Sequence, residues 1–133
     1  MNRQAIEKLV ECWTEAIAAG RLDDFDAILA ADVIDRSGAV PMSGVESFKA
    51  RTGAVRAAFA DIEIMIDDLI VEGHAIAWRW TLNGTHVGPF AGVEPTGRRV
   101  TLRGVNFQRL KDDRVIEHWT MVDVFGAVRA LRS

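Results

Sequence analysis

Residues 61–71 read Asp-Ile-Glu-Ile-Met-Ile-Asp-Asp-Leu-Ile-Val, and this stretch decides the fold. Ile62, Ile64 and Ile66 fall on every second position, the period of a strand with one buried face. Before Asp61 the spacing is helical. Ile6, Leu9, Val10, Trp13 and Ile17 recur at intervals of three and four, which predicts an amphipathic helix that Gly20 ends. Leu22–Ala31 reads as a second helix, with Asp23 and Asp24 near its positive end. Ser43-Gly44-Val45-Glu46 has the spacing of a capping box and predicts a third helix running to Phe59. Val33–Arg36 is a candidate short strand between them. After Asp61 the pattern stays strand-like: Ile62–Val71, Ala75–His86, Val100–Leu110 and Val115–Val124, with a short helix to Leu131. Helices first and antiparallel strands after predict an α+β fold: a cone-shaped, curved antiparallel sheet with three N-terminal helices on one face.

Composition narrows the function classes. The chain has 133 residues, 49% of them hydrophobic, enough for one domain (residues 1–133) with a sizeable core. Its net charge is -3 and its Lys and Arg residues are scattered, so no nucleic-acid partner is expected. No apolar run suits a signal peptide or a membrane span, which predicts a cytoplasmic protein without a membrane partner. Cys12 is the only cysteine and sits in the first helical pattern, as a small hydrophobe would. His74, His86 and His118 share no tight ligand spacing, so no metal site is expected. Gly84–Gly97 is glycine-rich but lacks the Lys-Ser/Thr ending of a phosphate loop.

Three groups of residues carry a family likeness. One is the loop Gly84-Thr85-His86, Gly88-Pro89-Phe90, Gly92 and Pro95-Thr96-Gly97. The others are Glu117-His118-Trp119 with Asp123, and Ala58-Phe59-Ala60-Asp61. Together they resemble the SnoaL-like polyketide cyclases, or ester cyclases, of the superfamily named for nuclear transport factor 2. The resemblance implies a cystatin-like cone with one pocket. It also implies cofactor-free acid/base chemistry on a small apolar carbonyl compound, either an intramolecular aldol cyclisation or a related isomerisation or dehydration, with a central aspartate as acid/base, and a homodimer joined through the sheet. The chain departs from the family in carrying Asp112-Asp113 where Asp-Gly is common, and in lacking proline near Ala60-Asp61. It has no tyrosine, so the tyrosine electrophile of ketosteroid isomerase is unavailable.

The candidate site follows from parity. Trp119, Met121 and Asp123 share one strand face. A carboxylate beside Trp and Met is partly desolvated, which raises its pKa toward the range of a general acid or base. The other reading of Asp123 is a strand-end aspartate capping the last helix. If Asp112-Asp113 is a two-residue turn, Lys111 faces Arg114 and Trp119 faces Asn106. Met121 then faces Gly104, and Asp123 faces Leu102. This puts Asn106 in the pocket, to hold a substrate carbonyl, orient the carboxylate or satisfy a nearby backbone group. Arg103, Val105, Phe107, His118 and Thr120 fall on the outer face, the expected dimer surface. His86, at the mouth of the Gly-Pro loop, either donates to an enolate oxygen or pins the loop. Trp80 is a candidate wall for a flat ring system. The catalytic candidates are thus Asp123 and His86, and the substrate-binding candidates Asn106, Trp119, Trp80 and Met121. Two other functions fit the pattern less well: a limonene-type epoxide hydrolase, which needs a second pocket Asp and an inward Arg, and a non-catalytic ligand-binding dimer module.

Overall fold

The computed structural model describes every residue, Met1–Ser133. Helix α1 spans Arg3–Ala19. The Asn2 side chain accepts from Ala5 N at its start, and Gly20 ends it in the left-handed conformation at φ 74°. Ile6, Leu9, Val10 and Trp13 of its stripe are buried where the periodicity placed them, while Ile17 is half-buried and Ala16 joins the core beside them.

The second helix is shorter than its pattern predicts. A 3₁₀ turn at Leu22–Asp24 leads into one turn of α-helix, α2 (Phe25–Ile28), and Leu29 already begins strand β1 (Leu29–Asp35). Leu29 is 1% exposed and Val33 0%, so burial beside the sheet outweighs the helical propensity of Leu29-Ala30-Ala31. The capping box does not form. Ser43 belongs to strand β2 (Met42–Ser43) and pairs with Ile34. Helix α3 spans Glu46–Ala58, with Val45 at its N-cap and no side-chain cap.

Four long strands follow: β3 (Phe59–Glu72), β4 (Ala75–His86), β5 (Arg99–Lys111) and β6 (Arg114–Val122). They form a six-stranded sheet in the order β2-β1-β6-β5-β4-β3. Every pairing is antiparallel except β1 with β6, which is parallel. Helix α4 (Val124–Arg132) closes the chain and packs on β5. The core lies between the inner sheet face and helices α1 and α3, with Trp13 at its centre. Trp13 makes edge contacts with Phe25, Phe48 and Trp78 at 5.2–6.4 Å between ring centroids. No helix is long and apolar enough to cross a membrane.

The β5–β6 hairpin corrects the register expected from the sequence. Asp112 and Asp113 do form a two-residue turn, both with positive φ (52° and 64°), and Lys111 pairs with Arg114. Leu110 pairs with Val115, but Arg109 then pairs with Glu117, so Ile116 is an extra residue in β6. This β-bulge moves every later pair by one and turns the strand over. Asn106 consequently faces Thr120, Phe107 faces Trp119, and Val105 faces Met121.

Candidate active site in the inner sheet cavity

Inward residues of four strands form one surface. They are Trp78, Trp80 and Leu82 on β4, Leu102, Asn106 and Gln108 on β5, His118 and Thr120 on β6, and Asp35 on β1. All of these except Gln108 and Asp35 line a cavity of about 210 Å³, which Trp13, Phe48 and Arg51 complete from the helices. Its wall is mostly apolar, with a polar band across β5 and β6 and Thr14, Arg51 and Thr52 on the helix side, the usual composition of a small-molecule pocket. No Asp or Glu lines it.

The polar band is closely bonded. Asn106, 4% exposed, accepts at Oδ1 from Trp80 Nε1 (3.1 Å) and from Thr120 Oγ1 (2.6 Å). An indole N–H only donates, so it is the amide oxygen of Asn106 that faces Trp80. The NH₂ group is left as the donor of this side chain. One rung further along, Trp78 Nε1 donates to Gln108 Oε1 at 3.0 Å, and Gln108 Nε2 lies 3.0 Å from His118 Nδ1. His118 is stacked on Trp13 at 5.0 Å between centroids.

Behind His118 is an ion pair between a buried Asp35 and an exposed Arg51. Asp35, 1% exposed, is bridged to Arg51 from α3 and accepts from the Ser37 backbone N–H (3.0 Å) and hydroxyl (2.6 Å). Burial by itself would raise the Asp35 carboxyl, but the two Ser37 bonds and the Arg51 charge outweigh it and hold the pKa below the ordinary value. Burial pushes His118 down to about 4; Asp35 pulls upward and Arg51 adds to the fall. His118 is therefore a neutral imidazole at pH 7. Ser37 Oγ also accepts from Thr120 N at 2.9 Å, which ties this network to β6.

Gly104 belongs to the same design. A Cβ there would collide with the indole of Trp80, which lies across the glycine and is thereby aimed at Asn106. Gly104→Ala is expected to lower stability by roughly 1–3 kcal/mol, the usual cost of overpacking, as read by thermal denaturation.

The sequence-derived candidates divide. Trp80 and Asn106 line the cavity. Trp119 and Met121 are on the outer face, where Trp119 packs on Phe107 at 5.4 Å and Met121 is 76% exposed. The bulge at Ile116 is the reason. Asp123 is exposed outside the cavity, and its carboxylate accepts from Gly126 N at 2.8 Å as the N-cap of α4. His86 is fully buried, and its Nδ1 accepts from the Thr96 backbone N–H at 3.2 Å. It ties down the loop after β4 and does not line the cavity; from that loop only Phe90 does. Parity alone missed His118, Thr120 and the Asp35–Arg51 pair. Glu117 held the signal: an unshifted register would bury this carboxylate opposite Gln108. The bulge turns it outward, to Arg36 (2.6 Å) and Arg109 (3.7 Å).

Comparison with known proteins shows the family and the fold. The chain is 29% identical over 120 residues to the nogalonic acid methyl ester cyclase of Streptomyces nogalater, covering 87% of this chain and 89% of that one. It is 27% identical over 129 residues to the aklanonic acid methyl ester cyclase DnrD of Streptomyces peucetius, covering 92% and 88%. Among solved structures it resembles TsrD of Streptomyces laurentii, with a TM-score of 0.90, 27% identity, and coverage of 98% and 97%. Residues 4–131 match the SnoaL-like polyketide cyclase family, and the chain belongs to that family.

Proposed function

We propose that this protein is a polyketide-cyclase-like enzyme that works on a small apolar carbonyl compound without a cofactor. The observation that carries the reading is the inner cavity, with tryptophan and aliphatic walls crossed by the Asn106 amide and the neutral His118 ring. A flat, mostly apolar molecule fits such walls, and the polar band meets its carbonyl oxygen. Hydrogen bonds aimed at an oxygen that gains charge in an enolate or aldol transition state are the strongest aid such a site gives. The homologous methyl ester cyclases support the reaction class. Asp123 is left out of this reading because it lies outside the cavity and caps α4. The experiment is a turnover assay with an uncyclised aromatic polyketide methyl ester. Ring closure by the purified protein without added cofactor is expected, and absence of turnover across a panel of such esters would overturn the reading.

The outer sheet face supports a homodimer. Val105, Phe107 and Met121 are 45%, 37% and 76% exposed, and Trp119 lies among them. Thr120, expected on this face, turns inward to Asn106. This is more apolar side chain than a strand face comfortably leaves in water. Sedimentation is expected to show a dimer at micromolar concentration, and Phe107→Glu a monomer.

A further inference from the structure

The cavity's imidazole has a neighbour that decides which of its nitrogens carries the proton. Trp78, Gln108 and His118 are 2%, 0% and 2% exposed and form one chain of hydrogen bonds, Trp78 Nε1 to Gln108 Oε1 and Gln108 Nε2 to His118 Nδ1. The indole N–H only donates, so the amide oxygen of Gln108 must face Trp78. Its NH₂ group then faces His118, and an NH₂ group also only donates. His118 Nδ1 must therefore accept. A neutral imidazole that accepts at Nδ1 carries its hydrogen on Nε2.

We propose that Gln108, held in orientation by Trp78, is a positioning residue that fixes His118 with its proton on Nε2, so that the ring meets the cavity's occupant as a hydrogen-bond donor and not as a base. The second half of this statement rests on the cavity being the site. Since Asn106 Oδ1 is already occupied by Trp80 and Thr120, its NH₂ group is a donor as well. The Asn106 amide and the His118 ring thus ask for the same thing, an acceptor oxygen on the occupant. The charged groups facing the ring are Asp35 from β1 and Arg51 from α3, which are paired with each other. Helix α1 presents Trp13, and α3 also presents Phe48, both uncharged. No facing charge therefore competes with Gln108 for the choice of nitrogen.

The test is long-range ¹H–¹⁵N correlation NMR of the imidazole nitrogens in ligand-free protein at pH 7, with His118 assigned through its ring and backbone. The expected result is a neutral ring protonated at Nε2. Gln108→Glu replaces the donor by a carboxylate that still accepts from Trp78, and is expected to move a proton onto Nδ1. Gln108→Met removes the donor without adding an acceptor, and is expected to leave a mixture of the two neutral tautomers. A wild-type ring protonated at Nδ1, or a Gln108→Glu ring unchanged at Nε2, would overturn the proposal. The wild-type measurement needs no variant to fold. It also needs no turnover, so it can fail or succeed separately from the cyclase reading.

Discussion

Asn106→Ala is expected to lower turnover of a polyketide-type carbonyl substrate by roughly 10²–10³-fold, the usual effect of removing one preorganised donor from a developing oxyanion. The loss should appear mainly in kcat, because the bond strengthens as negative charge builds on oxygen. The same change leaves Trp80 Nε1 and Thr120 Oγ1 without their shared acceptor, so a stability loss of about 1–3 kcal/mol should accompany it. Melting curves separate the two effects, since an assay well below the variant's transition reads chemistry alone. Asp123→Ala gives the contrast. It removes an exposed helix cap, and should cost about 1 kcal/mol of stability while changing turnover by no more than a few-fold. A ranking in which Asp123→Ala is the more damaging to turnover would return the acid/base role to the strand end.

The second large effect is a dependence of stability on pH. His118 has an ordinary value of 6.5 and a folded value of about 4. Between these values the unfolded chain binds a proton on His118 that the folded chain refuses. Stability therefore falls as pH falls from 6.5 toward 4, by about 3 kcal/mol in all, and this group causes no further loss below that. Asp35 acts elsewhere: its carboxyl is held below 3.8, so its contribution is present above that value and lost as pH falls beneath it. Urea denaturation at several pH values between 4 and 7, on the wild type and on His118→Gln, checks this. The wild-type slope should be steep in the window, and the variant's slope distinctly shallower.

Much of the architecture was legible because periodicity reports burial directly. Helix α1, its end at Gly20 and the long strands follow from the spacing of apolar residues, and the Asp112-Asp113 turn follows from residue type. The failures were local preferences that tertiary contacts overrode. Leu29 joined a strand because β1 gains a parallel partner in β6, which no nearby residue announces. Ser43 kept its hydroxyl out of a capping box because its backbone pairs with Ile34.

Two of the six site candidates line the cavity, and the reversal on β6 has one cause. Register counted from the turn is valid only until the first bulge, and the bulge at Ile116 lies three residues past the turn. Trp80 on β4 lies in the cavity, and so does Asn106 on β5, although the pairing with Trp119 that placed it there does not form and Thr120 takes that position. On β6 the parity was reversed, so Trp119 and Met121 were exchanged for His118 and Thr120. Asp35 could not be found from strand parity at all, since its importance comes from its pairing with Arg51 of α3.

The most direct test of the inner-face assignment is a crystal structure with an aromatic polyketide methyl ester bound. The ligand's rings are expected against Trp78 and Trp80, with one carbonyl oxygen within hydrogen-bond distance of both Asn106 Nδ2 and His118 Nε2. A ligand seated on the other side of the sheet, with its oxygen or reacting carbon against the Asp123 carboxylate and its rings on Trp119 or Met121, would contradict it.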